Sequence, residues 1–131
     1  MRMQSFLKRI LLVLVLVSVT SFAASDFLPP EKAFRVEATW LENSNAIEIE
    51  FLPAKGYYIY QESLKFQAGT EAYRLSSLKP KLPLGIEKFD ETFQKKLQVY
   101  KEPFMVLLSV KPQAGSPMHL EVTLQGCAEG R

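Results

Sequence analysis

The 131-residue chain sets 16 Lys and Arg against 14 Asp and Glu, a formal charge of +2, and contains one His and one Cys. Three of the basic groups, Arg2, Lys8 and Arg9, fall within residues 1–23, so the remainder drops from +2 to −1 and offers no electrostatic case for nucleic-acid or anionic-membrane binding. His119 and Cys127 cannot supply the three or four ligands of a zinc site, and neither a metal nor a cofactor is expected.

At the amino terminus, "MRMQSFLKR" puts positive charge ahead of an apolar run from Ile10 to Phe22, whose unbroken part ends at Val17. A spanning helix needs about 20 predominantly apolar residues. The segment therefore reads as a cleaved signal peptide over residues 1–23, with an uncleaved single-span anchor as the alternative. Small residues suit cleavage after Ala23 or Ser25. Residues 24–131 are then one exported domain, a length that buries an adequate core with little to spare.

Beyond the Pro-containing entry "SDFLPPEKAF", the stretch "FRVEATWL" alternates, with Phe34, Val36, Ala38 and Trp40 on one face. After the turn residues "ENSNA", "IEIEF" alternates again and points Ile47, Ile49 and Phe51 inward, so the two segments predict an antiparallel hairpin. "PAKG" breaks the pattern, and "YYIYQESLKFQA" has the aromatic and β-branched content of a third strand and a fourth. Period two places Tyr57 and Ile59 on one face and Tyr58 and Tyr60 on the other. One pair fills a core; the second pair is exposed or has another task.

"LSSLKPKLPLGIEKFDETFQKK" contains Pro80, Pro83 and Gly85 and keeps no sustained period, which predicts a long surface loop and a possible lid. "LQVYKEPFMVLLSVKP" then supplies two extended segments, the second nearly continuous in apolar residues from Phe104 to Leu108, as in a central strand. Met105 in that run is expected to pack in the core. "HLEVTLQGC" alternates with Leu120, Val122 and Leu124 inward, and His119 is expected at the surface. Seven or so short strands without a helix-period segment indicate an all-β antiparallel sandwich.

Candidate chemistry narrows to few residues. No "GxSxG" elbow accompanies His119. Asp90 and Glu91 sit beside aromatics in "KFDETF", where carboxylates can control the ionisation of a nearby group, although loop charges are ordinarily solvated. Cys127 lies among Gly126, Ala128, Glu129 and Gly130, a turn composition that places a thiol to react rather than to pack. A reductase normally needs one cysteine to attack and a second to resolve, so a single thiol completes no two-electron cycle.

Five ordered segments, "FLPPEKAF", "KGYYIY", "FDETF", "VYKE" and "VTLQGCAEG", resemble the amino-terminal periplasmic domain of the thiol:disulfide interchange protein DsbD. The resemblance implies an immunoglobulin-like β-sandwich that takes electrons from the transmembrane and C-terminal domains of a parent reductase. It implies periplasmic thioredoxin-like partners, among them the disulfide isomerase and the cytochrome c maturation thioredoxin. It also implies a reactive motif similar to "QGCADAGFCYPP", of which Cys127 matches the first cysteine and the second, partner-attacking one falls just past Arg131. By the same resemblance Tyr58 and Tyr60 line the active site, and Asp90 and Glu91 belong to a cap loop that shields the cysteines. The cap aromatic maps to Thr92 or Phe93, with Phe93 favoured.

On this reading the chain is a fragment that lacks the second cysteine and a final strand. It is then expected to be marginally stable and to dimerise through an open edge or through Cys127. Two other readings stand beside it. One is a redox-inactive periplasmic interaction module. The other is an unrelated exported β-domain, in which Tyr58, Tyr60 and Asp90 would lie on different faces from Cys127.

Overall fold

The computed structural model describes residues 26–70, 76–111 and 118–130. The proposed signal segment lies outside them. A single helical turn, α1 (Pro30–Ala33), opens with proline at its first position, where a missing N–H costs no helical hydrogen bond. The strands follow as β1 (Phe34–Leu41), β2 (Ala46–Pro53), β3 (Tyr57–Tyr60), β4 (Lys65–Thr70) and β5 (Ser76–Leu78). They continue as β6 (Ile86–Asp90), β7 (Lys95–Tyr100), β8 (Phe104–Ser109), β9 (Met118–Thr123) and β10 (Gly126–Ala128).

These strands form three antiparallel sheets, ordered β1-β2-β8, β10-β3-β7-β6 and β5-β4-β9. The predicted first hairpin is present, with Phe34 opposite Pro53 and Leu41 opposite Ala46. Its turn closes through Asn45 in the left-handed region, a conformation that asparagine tolerates. Between β2 and β3, the Tyr57 N–H donates to Ala54 O at 3.0 Å, and Gly56 takes φ +85°, the sign that favours glycine at this point of a turn.

The main core collects Ile47, Ile49 and Phe51 of β2, Ile59 of β3, Phe66 and Ala68 of β4, and Val106 and Leu108 of β8. Phe51 is its centre: fully buried, stacked on Phe104 at 4.7 Å and edge-on to Phe66 at 6.2 Å. Leu120, Val122 and Leu124 pack against this core from the β9 side, as their alternation predicted. The result is an immunoglobulin-like antiparallel β-sandwich.

Several expectations need correction. The presumed long loop contains β5 and β6. The irregular part of its described residues is confined to 79–85 and a turn at 91–94. Strand β6 lies at a sheet edge, so its burial does not alternate strongly and leaves little periodic signal. Strand β8 is not central: among the described residues it pairs only with β2, and its outward residues Met105 and Leu107 are 51% and 58% exposed. Met105 therefore does not fill the core. Trp40 lies opposite Ile47 but remains 39% exposed on edge strand β1. Cys127 lies within β10 rather than in a turn.

Replacing Phe51 with alanine is expected to destabilise the domain by about 3–5 kcal/mol, the usual cost of deleting a buried phenyl ring. A lowered denaturation midpoint with an unchanged slope in urea is the result that checks it.

Candidate functional site

Strand pairing brings three distant pieces of sequence onto one sheet face. In β10, Cys127 is opposite Tyr58 of β3, and Tyr60 of β3 is opposite Val99 of β7. Across the next pair, Lys88 is opposite Leu97 and Asp90 opposite Lys95. Directly opposed residues share a face, and alternate residues along a strand share it too. Tyr58, Tyr60, Lys88, Asp90, Leu97, Val99 and Cys127 therefore point the same way, while Ile59 points into the main core.

The chain holds β10 in place by close packing and by a serine clamp. A β-carbon at Gly126 would run into the Phe34 ring and stand 2.6 Å from Tyr58 O, so only glycine lets β10 approach β3 this closely. Just before it, Gln125 O accepts from the Tyr60 N–H at 2.9 Å, and the Gln125 N–H donates to Ser63 Oγ at 2.8 Å. On the far side, the Glu129 N–H donates to Gly56 O at 2.7 Å, and Lys101 pairs with the Glu129 carboxylate. The half-buried thiol is thus carried on a strand tied down at both ends.

Behind the thiol runs a buried polar chain. The Tyr58 and Tyr60 hydroxyls are 3.4 Å apart, and the Tyr60 O–H donates to Asp90 Oδ2 at 2.6 Å. Asp90 Oδ1 accepts the Phe93 N–H at 3.0 Å, which closes the β6–β7 turn. Gln94 completes that turn with φ +54° and a side-chain bond from its Nε2 to Glu91 O. Phe93 then packs edge-on against the Tyr60 ring at 5.8 Å. Buried polar groups need partners, and here one carboxylate satisfies both a core tyrosine and the turn backbone.

The same bonds set the ionisation of these groups. The Tyr60 hydroxyl holds the Asp90 carboxyl below the usual range, with the Phe93 N–H acting the same way. Burial, then the Asp90 bond, pushes Tyr60 far up. Burial also raises Tyr58; the Tyr60 bond opposes this, and the neighbouring Cys127 thiol reinforces it. Both tyrosines stay neutral donors at physiological pH.

Cys127 opens into a cleft of about 500 Å³ that it shares with Tyr58, Lys88, Asp90, Glu91 and Thr92. Of the residues predicted from sequence, Tyr58, Tyr60 and Asp90 are buried around the thiol, and Glu91 is exposed at the cleft margin. Thr92 lines this cleft. Phe93 instead covers Tyr60 and borders a neighbouring hollow with Ser63 and Gln125. Asp90 is not the solvated loop charge that its sequence context suggested. Sequence reasoning missed Lys88, Ser63 and the packing role of Gly126. For Lys88, a signal was present in its two-residue spacing from Asp90.

The fold and site define an immunoglobulin-like domain presenting one thiol on a sheet face lined by tyrosines and a carboxylate. A family model described as thiol:disulfide interchange protein DsbD, N-terminal, matches residues 24–131, and the chain belongs to this family. A DsbD protein of Ralstonia nicotianae is 37% identical over 120 residues, which cover 92% of this chain and 19% of that protein. The chain thus spans about a fifth of that relative's length. The reduced DsbD n-terminal domain of Neisseria meningitidis superposes with a TM-score of 0.63 at 33% identity, covering 79% of this chain and 78% of that one. A chain from the neisserial complex between the DsbD N-terminal and PilB N-terminal domains gives 0.61 at 34% identity, covering 81% and 78%. The shared face of Tyr58, Tyr60, Asp90 and Cys127 removes the unrelated-domain reading.

Gly126→Ala is expected to cost about 1–3 kcal/mol by overpacking against Phe34 and the Tyr58 carbonyl. Faster amide exchange in β10 and β3 than elsewhere would locate that loss. The pH dependence has a definite sign. A carboxyl lowered on folding contributes stability above its unfolded value of about 3.9, and that contribution is lost as pH falls through the lower folded value. Thermal melts from pH 6 downward should therefore show wild type losing stability more steeply than Asp90→Asn, so that the gap between them narrows in acid.

Proposed function

We propose that this domain relays reducing equivalents by thiol:disulfide exchange, and that Cys127 is its bond-forming residue. The observation that carries the proposal is the placement of the half-buried thiol in a cleft with Tyr58, Tyr60 and Asp90. Family membership supports the same reading.

The chemistry pairs Cys127 with a second cysteine beyond Arg131. That cysteine's thiolate attacks a partner's disulfide, forms a mixed disulfide and expels one partner thiolate. Cys127 then attacks the domain's own sulfur of the mixed bond and releases the second partner thiol. The domain's dithiol becomes a disulfide, losing two electrons and two protons, and the partner's disulfide gains both. The membrane portion of a parent reductase would restore the dithiol.

In this scheme Tyr58 and Tyr60 form the wall behind the thiol, and Asp90 anchors the turn that carries Glu91, Thr92 and Phe93 as a cap. Such a cap limits access by small oxidants, which suits a reduced carrier in an oxidising compartment. The domain is proposed to act in the periplasm after removal of residues 1–23. Its proposed partners are thioredoxin-like proteins, including the disulfide isomerase and the cytochrome c maturation thioredoxin.

The test uses the domain with both cysteines and a thioredoxin-like partner in its disulfide form. The unchanged domain should reduce the partner and release it, whereas Cys127→Ser should stop at a covalent one-to-one mixed disulfide with the partner. Release of fully reduced partner by Cys127→Ser at the unchanged rate, with no adduct trapped, would overturn the proposal.

A further inference from the structure

We propose that Lys88 selects by charge at the Cys127 site, favouring disulfides that carry a carboxylate beside the sulfur under attack. The inference rests on the exchange role proposed for Cys127. Strand register puts Lys88 on the thiol's face, directly opposite Leu97. Its half-buried side chain lies along the cleft, with the ammonium 5.2 Å from the centre of the Tyr58 ring. Tyr58 is the residue paired with Cys127, and all three line the same cleft. Phe93, the aromatic residue of the turn, packs on Tyr60 instead. At the thiol's end of the cleft, the side chain lying over the tyrosine is therefore a cation.

The surrounding charges are largely committed. Lys95 pairs with Glu62 at 3.2 Å, and Lys101 pairs with Glu129. Asp90 accepts from Tyr60 and from the Phe93 backbone. Among the described residues, Lys88, Asp90 and Glu91 are the cleft-lining charges and none enters an ion pair; Asp90 is buried and held by its hydrogen bonds, and Lys88 acts on it through space. The ring face attracts the ammonium of Lys88 and holds it near the thiol without neutralising it. An incoming carboxylate thus meets the Lys88 ammonium over the Tyr58 ring, with the Asp90 carboxylate buried and committed to Tyr60 and Phe93, and a second negative charge, Glu91, at the exposed margin.

The experiment compares two disulfides on the full chain: dithiobis(nitrobenzoate), which has a carboxylate on each ring, and cystamine, which has an ammonium on each arm. In both reactions the Cys127 thiolate attacks one sulfur and forms a new S–S bond. The old bond breaks, the leaving thiolate carries away its electron pair, and the Cys127 proton passes to buffer. The readout is the ratio of the two rates at low ionic strength. One charge acting over several ångströms of mostly aqueous medium is worth about threefold in rate.

Lys88→Gln should lower the anionic-to-cationic ratio by about threefold or more, Lys88→Arg should retain it, and Glu91→Gln should raise it. Lys96→Gln removes the same charge from the opposite face of β7, where Lys96 pairs with Glu87 at 3.1 Å, and should leave the ratio unchanged. The Lys88 effect should collapse near 1 M salt, where the screening length is about 3 Å. A ratio that Lys88→Gln leaves unchanged, an equal loss of both rates, or an effect that survives high salt would each overturn the proposal. If Cys127 reacts with neither disulfide, the exchange role itself fails, and this inference fails with it.

Discussion

Burial of β3 on both faces is the constraint on which the rest of the site depends. The strand has four residues, with Ile59 fully buried in the main core and Tyr58 and Tyr60 buried on the opposite side. An edge strand here would leave a row of backbone groups unpaired. Strand β3 is flanked instead by β10 and β7, so its backbone groups are satisfied by neighbours while its side chains fill two separate clusters. Any shift by one residue would exchange Ile59 for tyrosine in the core and turn Cys127 away from the cleft.

Two buried phenols require a polar solution, and Asp90 supplies it. A tyrosine hydroxyl removed from water without a partner is costly. The 2.6 Å bond from Tyr60 to Asp90 meets that need and commits one carboxylate oxygen. The other oxygen takes the Phe93 N–H and fixes the turn. Turn position and core polarity are therefore one network, and a change at Tyr60 reaches the turn through Asp90.

The site face also separates tasks by strand. Strand β10 carries the thiol, β3 the wall, and the β6–β7 hairpin the charged and aromatic rim. Among the described residues β6 pairs only with β7, so beyond that ladder the rim is fastened by side chains: the Asp90 bonds, Phe93 on Tyr60, Lys88 over Tyr58 and the Lys95–Glu62 pair. Edges fastened mainly by side chains open at lower free energy than central strands. The interchange family to which the chain belongs gives this division of labour its chemical context.

Alternation made β1, β2 and β9 legible, because each presents apolar residues at period two against a core, and aromatic and β-branched content made β3 legible. Alternation also assigned Tyr58 and Tyr60 to one face and Ile59 to the other. Residue chemistry singled out Cys127, Asp90 and Glu91, and the resemblance added Thr92 and Phe93. Local sequence misread edge strands, since β6 and β8 bury only one partner side and their composition follows other demands. Continuous apolarity at Phe104–Leu108 suggested a central strand, yet Met105 and Leu107 face outward. Cys127 looked like a turn residue because its glycine neighbours signal turns, whereas Gly126 is needed for close approach to Phe34 and Tyr58. The sequence by itself determined which residues share a face within each strand, because side-chain direction is a local property of the backbone. Only the tertiary structure decided that the faces of β3, β6 and β10 are the same face, because register between distant strands comes from packing and hydrogen bonding across the whole sheet.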